Sequence, residues 1–368
     1  MAGRKKIMMV FGTRPEAIKM APLVLECLAR PEQFDLVVCV SGQHAHMLAP
    51  VMEYFGIVPD YDLAIMKDEQ TLTDVTVAVL GELGPVLDKE KPDVLLVHGD
   101  TTTTFAATLA AFYRQIPVGH VEAGLRTYNM DSPYPEEFNR QATGLLTRYH
   151  FAPTQWAAQN LLDEKKDPAR VFVAGNTVLD AIRMTIRDAY SHPELDWAAG
   201  SSLILITAHR RENLGEPMAR MFSAIRRIVD DHPETKAIYP IHMNPKVRRI
   251  ADEYLSGHER IRLIEPLDVF DFHNFMSRCH LILTDSGGIQ EEAAAVRKPT
   301  LLLRDTTERP EGIEAGIIRM VGTAEDAIYD AATQILRDPA LYQKMISGPN
   351  PFGDGYASRQ IADILAKE

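Results

Sequence analysis

Short, almost wholly apolar runs alternate with amphipathic stretches along nearly the entire chain, and this alternation leaves few folds open. In the first half, Ile7–Phe11, Leu36–Val40, Val94–Val97 and Ile116–Val121 read as buried strands. Helices are expected over about Ala17–Leu28 and Thr103–Tyr113. The pattern then restarts with Leu203–Thr207, Ala237–Ile241, Ile261–Ile264, Leu281–Thr284 and Thr300–Leu303. Strands that are apolar on both faces and separated by helices belong to a parallel sheet covered on both sides. The expected fold class is α/β, with two Rossmann-like doubly wound domains and an active site in the cleft between them. Ligands of such sheets collect beyond the carboxyl ends of the strands. Tyr190–Ser202 holds Pro193 and Gly200 and lacks strong periodicity, so the boundary is set there, with domains at 1–190 and 191–354.

Composition narrows the partners. A chain of 368 residues is long enough for two domains. Its formal charge of −12 offers no general basic face, which argues against nucleic-acid binding, although a small phosphorylated ligand needs only local positive charge. Cys27, Cys39 and Cys279 are scattered in apolar contexts and read as reduced core residues, not a disulfide framework or a zinc site. No apolar run approaches the roughly 18 residues of a membrane span. Arg4-Lys5-Lys6 followed by Ile7–Phe11 is too short for a signal peptide and lacks a small-residue cleavage site. The expectation is a cytoplasmic protein that engages neither membrane nor nucleic acid.

The strand ends carry the chemistry. Thr284-Asp285-Ser286-Gly287-Gly288-Ile289-Gln290-Glu291-Glu292 follows a strand and opens a helix over Ile289–Val296. Glycines there let the backbone approach a ligand, and the helix start presents free N–H groups to phosphate. Glu292, one turn on, can reach sugar hydroxyls; the alternative is an ordinary strand-to-helix turn. Phe11-Gly12-Thr13-Arg14-Pro15-Glu16 lacks a GxGxxG fingerprint but sets Arg14 and Lys19 in the first helical turns, where cations oppose the macrodipole unless an anion is bound. Asp100, in His98-Gly99-Asp100-Thr101, either caps the next helix or faces the cleft as an acid or base. Glu122 sits at a strand terminus, and Glu136 and Glu137 open a helix after Ser132-Pro133-Tyr134-Pro135, where one of them is explained by the dipole alone. Three cleft-side carboxylates from three loops suit proton transfer. In the second half His209, followed by Arg210 and Arg211, suits a diphosphate, and His242 ends the next strand. Glu308 and Arg309 follow another strand, as ribose and phosphate ligands or as a charge-paired surface loop.

Taken in order, FGTRPEAIK, VHGDTTTT, GHVEAGLRT, SPYPEE, GNTVLDA, TAHRREN, DSGGIQEEA and LRDTTERPEG resemble the bacterial non-hydrolysing UDP-N-acetylglucosamine 2-epimerase family. The match runs from about Ile7 to the Gly353–Ser358 segment. It implies a glycosyltransferase-B-like architecture in which a C-terminal helix, in residues 355–368, returns to the first domain. It implies interconversion of UDP-N-acetylglucosamine and UDP-N-acetylmannosamine, with elimination of UDP to 2-acetamidoglucal and re-addition, in the service of cell-surface polysaccharide synthesis. A hydrolysing relative and a glycosyltransferase of similar architecture are the alternatives. By resemblance Asp100, Glu122 and Glu136 supply the acid/base work and His209 steadies the departing diphosphate. Arg14, Lys19, His242, Ser286, Gly287, Gly288, Glu292, Glu308 and Arg309 fall near UDP or the sugar, and Phe272 lines the uracil pocket unless it is plain helix core. No nicotinamide or other cofactor is implied. No metal is expected either, because His44 and His46 are spaced i, i+2 and do not converge.

The resemblance also implies a homodimer through the first domain and a second UDP-N-acetylglucosamine bound as an activator by Gln43, His44, Glu136, Arg210 and His242. Ala45 stands where many relatives carry Arg and Glu69 where some do, and an acidic Glu69 facing that site would repel a second diphosphate.

Overall fold

The computed structural model describes residues 4–42, 45–67 and 69–368. The chain divides into two compact units, Met1–Ala181 with Gly353–Glu368, and Ile182–Phe352. Each is built on one parallel sheet. The first sheet contains β1 (Lys5–Phe11), β2 (Phe34–Val40), β3 (Tyr61–Asp62), β4 (Val94–His98), β5 (Val118–Val121), β6 (Tyr149–Ala152) and β7 (Val171–Val173). Their order is β3-β2-β1-β4-β5-β6-β7. The second contains β8 (Ser202–Thr207), β9 (Thr235–Pro240), β10 (Ile261–Ile264), β11 (Leu281–Thr284), β12 (Thr300–Leu302) and β13 (Ile318–Met320). Their order is β10-β9-β8-β11-β12-β13. Strand order reverses at β1/β4 in one sheet and at β8/β11 in the other, and loops that diverge at such a point leave room for a ligand at the carboxyl ends.

The apolar runs become central strands because helices cover both their faces. Met8, Met9 and Val10 of β1 and Leu95, Leu96 and Val97 of β4 are fully buried. Among the covering helices, Glu216–Asp231 turns Met218, Met221, Phe222, Ile225, Ile228 and Val229 inward at helical spacing. Cys27, Cys39 and Cys279 are free and buried, and burial pushes each thiol up to about 12. No described helix is long and apolar enough to cross a membrane.

The differences from the sequence reading have local causes. β3, β6, β7 and β13 are additional strands of two to four residues that the apolar pattern does not mark. Tyr190–Ser202 is not structureless: Pro193–Ala198 is helical, with His192 Nδ1 accepting from Glu194 N at 3.2 Å. The units part at Ala181/Ile182 and Phe352/Gly353 instead of 190/191 and 354/355. The first of these points falls within the helix Thr177–Thr185, so no loop composition marks it.

The C-terminal helix Ala357–Lys367 belongs to the first unit. It packs on the helix Arg14–Leu28 and buries Ile361 and Leu365, and Arg30 binds Asp363 at 2.5 Å. Its start is held by the buried Asp180, whose carboxylate accepts from Ala357 N at 3.0 Å and Ser358 N at 2.8 Å. Two buried N–H groups stranded by Asp180→Ala would cost about 1–3 kcal/mol. Amide exchange in residues 357–367 should therefore accelerate at least about tenfold in this variant while β4 stays protected. Unchanged exchange in that helix would refute the clamp.

Candidate active site

In the first unit the site grows from the ends of β1, β4 and β5. The turn after β1 is closed by a capping box: Thr13 accepts from Glu16 N, and Glu16 Oε2 accepts from Gly12 N at 3.0 Å and Thr13 N at 2.8 Å. Glu16 Oε1 also accepts from Thr101 Oγ1 at 2.7 Å and Thr104 Oγ1 at 3.0 Å, which ties the β1 turn to the turn after β4. Glu16 is 2 % exposed, and burial raises its pKa despite these donors. Gly12 is required for this closeness, since a Cβ there would lie 1.9 Å from Ser41 Oγ.

Glu122 follows β5 with φ of 63°, a left-handed conformation that a non-glycine residue adopts at a cost of about 1–3 kcal/mol. It is buried, ion-paired with Lys19, and accepts from Asn176 Nδ2 at 3.0 Å. His98 Nε2 lies 3.8 Å from the same carboxylate. Asp100 pairs with the buried Arg140, and its backbone carbonyl accepts from Asn139 Nδ2 at 2.9 Å. That bond brings the helix Glu136–Leu146 to the end of β4. Because Gly99 N donates to Val121 O at 2.9 Å, the segments carrying Asp100 and Glu122 leave the sheet side by side. Glu136 is the first residue of its helix, and its Oε2 is shielded from solvent without a hydrogen-bond partner. Glu137 has the structural task instead. Fully buried, it accepts from Thr127 N at 2.9 Å, Tyr128 N at 3.1 Å and Gln141 Nε2 at 2.8 Å. Burial opposes its ionisation, but these donors prevail and hold its pKa low.

In the second unit the turns after β8 and β11 interlock. Asp285 is fully buried and accepts from His209 N at 3.1 Å, Arg210 N at 3.0 Å and Asn213 Nδ2 at 3.0 Å. His209 Nδ1 lies 3.7 Å from Asp285, and its ring stacks on His242 with centroids 5.2 Å apart. Burial lowers the His209 pKa; Asp285 works against that, and His242 and Arg210 reinforce it. His242 Nδ1 accepts from Asn244 N at 3.1 Å, so its available proton is on Nε2.

The helix Gly287–Ala295 starts after Ser286, whose side chain makes no capping bond, so its first N–H groups are not consumed by a cap. A Cβ on Gly287 would sit 2.4 Å from Glu308 Oε1 and 3.0 Å from Arg309 Nη1, which explains the glycine. Arg309 is 4 % exposed and donates to Glu291 and Glu308, both at 2.7 Å. Glu308 also accepts from Arg304 at 3.2 Å. Burial would raise its pKa, but Arg309, Arg304 and Arg210 hold it down at about 2. Glu308 and Arg309 are therefore knotted to each other, while Phe272 packs partly buried beside Phe275.

Of the other sequence candidates, Arg14 is half-buried at the first turn of its helix. Gln43 and His44 lie outside the described residues. Glu69 is exposed with φ of 53°. No group of three or more His, Cys, Asp or Glu poised to hold a metal occurs among the described residues. Sequence reasoning assigned no role to Glu16, Asn176, Arg140 and Asp285. Only Glu16 had a local signal, the Thr13-x-x-Glu16 capping box.

The family profile described as UDP-N-acetylglucosamine 2-epimerase matches residues 26–366. A protein of Bacillus subtilis named UDP-N-acetylglucosamine 2-epimerase is 57% identical over 360 residues, covering 98% of this chain and 94% of that one. The crystal structure of a putative UDP-N-acetylglucosamine 2-epimerase from Listeria monocytogenes superposes with a TM-score of 0.93 at 52% identity, covering 99% and 96% of the two chains. The UDP-GlcNAc 2-epimerase of Neisseria meningitidis bound to UDP-GlcNAc gives 0.91 at 46% identity, covering 99% and 100%.

Behind the carboxylates stand three buried histidines. His120 Nε2 donates to Gly99 O at 2.7 Å, and burial lowers the pKa to about 4 in His98 and to about 3 in His120 and His150. All three are neutral in the fold at neutral pH, whereas the unfolded chain binds their protons near pH 6.5. Their contribution is complete above about pH 6.5 and is lost as pH falls below it, on the order of 1 kcal/mol each by pH 5.5. Urea unfolding at pH 7.5 and 5.5 should show this loss, and His150→Gln should reduce it by one histidine's share. Equal stability at the two pH values would contradict neutral burial.

Proposed function

The chain belongs to the UDP-N-acetylglucosamine 2-epimerase family, and from that premise we propose that it interconverts UDP-N-acetylglucosamine and UDP-N-acetylmannosamine without hydrolysis. The observation that carries this reading is Glu122. It is buried in a left-handed conformation beside Lys19, Asn176 and His98, a costly placement for a carboxylate at a strand end.

The proton at sugar carbon 2 is not acidic in the ground state. As the bond from carbon 1 to the diphosphate oxygen breaks, its electron pair leaves with UDP and positive charge develops at carbon 1. A carboxylate then takes the carbon 2 proton and a double bond forms between carbons 1 and 2, giving 2-acetamidoglucal. In the return step a carboxylic acid protonates carbon 2 on the opposite face and the diphosphate oxygen adds to carbon 1. Two proton-transfer groups are needed, and Asp100, Glu122 and Glu136 are the assigned set. Lys19 and Arg140 keep Glu122 and Asp100 oriented.

His209, backed by Asp285, is assigned to the departing diphosphate. The helix start at Ser286, Gly287 and Gly288 is assigned to phosphate, Glu292 to ribose, and Arg14 and His242 to the nucleotide sugar. Phe272 is assigned to the uracil. Glu308 and Arg309, which neutralise each other, shape this site as a fixed pair. The role is supply of N-acetylmannosamine units for surface polysaccharide in the cytoplasm.

A second UDP-N-acetylglucosamine is proposed as activator, with Gln43, His44, Glu136, Arg210 and His242 as the residues that the resemblance assigns to it. A homodimer through the first unit would cover Val77, Phe112, Tyr113 and Leu145, which are 51–76 % exposed on three packed helices.

With UDP-N-acetylglucosamine as sole substrate, chromatography should resolve UDP-N-acetylmannosamine and no free N-acetylmannosamine. Asp100→Asn, Glu122→Gln and Glu136→Gln should each lower turnover on the order of 100-fold or more with UDP affinity largely kept. Release of UDP with free N-acetylmannosamine would overturn the non-hydrolysing reading. Near-full turnover in any variant would remove that residue from the set.

A further inference from the structure

His273 is a buried ionisable side chain that the reaction does not use. It lies on the helix Val269–Arg278, 1 % exposed, between Phe272 and Phe275 on a face that belongs to an apolar cluster. An aliphatic residue would fill such a position more cheaply. One ring nitrogen is accounted for: Nδ1 lies 2.7 Å from Thr185 Oγ1. The neighbouring Asn274, fully buried, donates to Thr185 O at 2.9 Å and accepts from Arg187 N at 3.1 Å. These bonds fix the helix and the imidazole against the segment that follows Thr177–Thr185.

The other nitrogen points somewhere specific. Nε2 is shielded from solvent, has no hydrogen-bond partner, and lies 3.6 Å from Glu292 Oε2. Glu292 stands one turn into the helix that starts at Gly287, with its side chain 16% exposed. A carboxylate only accepts, so it selects the tautomer with a proton on Nε2. Nδ1 is then the acceptor, and the Thr185 hydroxyl donates to it at 2.7 Å in preference to Ile182 O at 3.2 Å. Thr185 thus fixes the ring of His273 with its Nε2–H turned toward the Glu292 carboxylate, 3.6 Å away.

We propose that His273 is a positioning residue: its otherwise unpartnered Nε2–H, 3.6 Å from Glu292, closes on one carboxylate oxygen when nucleotide binds and leaves the other for a vicinal diol, the paired hydroxyls of a ribose. The inference rests on the assignment of Glu292 to the nucleotide sugar. Its effect is confined to ligands that carry the diol, because the phosphate and base contacts come from other residues.

Calorimetric titration with UDP and with 2′,3′-dideoxy-UDP tests it. The wild-type protein should prefer UDP on the order of tenfold or more, as a site built for hydroxyls rejects an analogue without them. His273→Asn cannot reach Glu292 and should lose most of that preference by weakening UDP alone. His273→Gln, which restores an N–H near the Nε2 position, should recover it. Thr185→Val, nearly isosteric, frees the ring and should shift the preference in the same direction as His273→Asn, so the test survives if that variant folds poorly. A preference unchanged in both His273→Asn and Thr185→Val, or equal weakening of both ligands, overturns the role of His273 and leaves the assignment of Glu292 standing. A wild-type protein that binds the two ligands equally overturns both.

Discussion

Buried carboxylates that accept backbone N–H groups hold together the loops on which everything else rests. Glu16 closes the turn after β1, Glu137 the loop after β5, Asp285 the turn after β8, and Asp180 the start of the last helix. Each takes two or more N–H donors that would otherwise be stranded in the interior. A buried carboxylate is costly alone, and aligned donors offset part of its desolvation while removing the freedom of the loop. Sheets position strand ends to within a register; these side chains convert strand ends into fixed sites.

With the loops fixed, the remaining charges can be kept for chemistry. Glu136 and Glu137 are adjacent and chemically identical, yet one carboxylate is saturated by donors and the other has an oxygen without a partner. Asp100 is ion-paired with Arg140 and Glu122 with Lys19. A cation of this kind orients a carboxylate without occupying all its lone pairs. In the second unit the same logic separates Asp285, which is consumed by the loop, from His209, which the loop displays.

Much of this was legible in the sequence. The long apolar runs gave the central strands, and the loops after them held the candidate residues, because a parallel sheet leaves its carboxyl ends to loops. The strands that escaped, such as Tyr61–Asp62 and Ile318–Met320, are too short to carry a period. The division at Ala181/Ile182 escaped because it lies inside a helix. Asp285 was passed over although it sits in the most informative motif, since its partners are 72 to 76 residues away in sequence. Arg140 and Asn176 were silent for the same reason: local pattern carries no information on which distant loop a side chain will meet.

The central claim is that protons pass between these preorganised carboxylates and carbon 2 of the sugar. Proton NMR of the wild-type protein with UDP-N-acetylglucosamine in deuterated water measures this at the reacting atom. The account predicts UDP-N-acetylmannosamine carrying deuterium at carbon 2, with exchange abolished in Glu122→Gln. Conversion with the carbon 2 proton retained would contradict it, because the proton delivered to the opposite face comes from an acid in exchange with solvent.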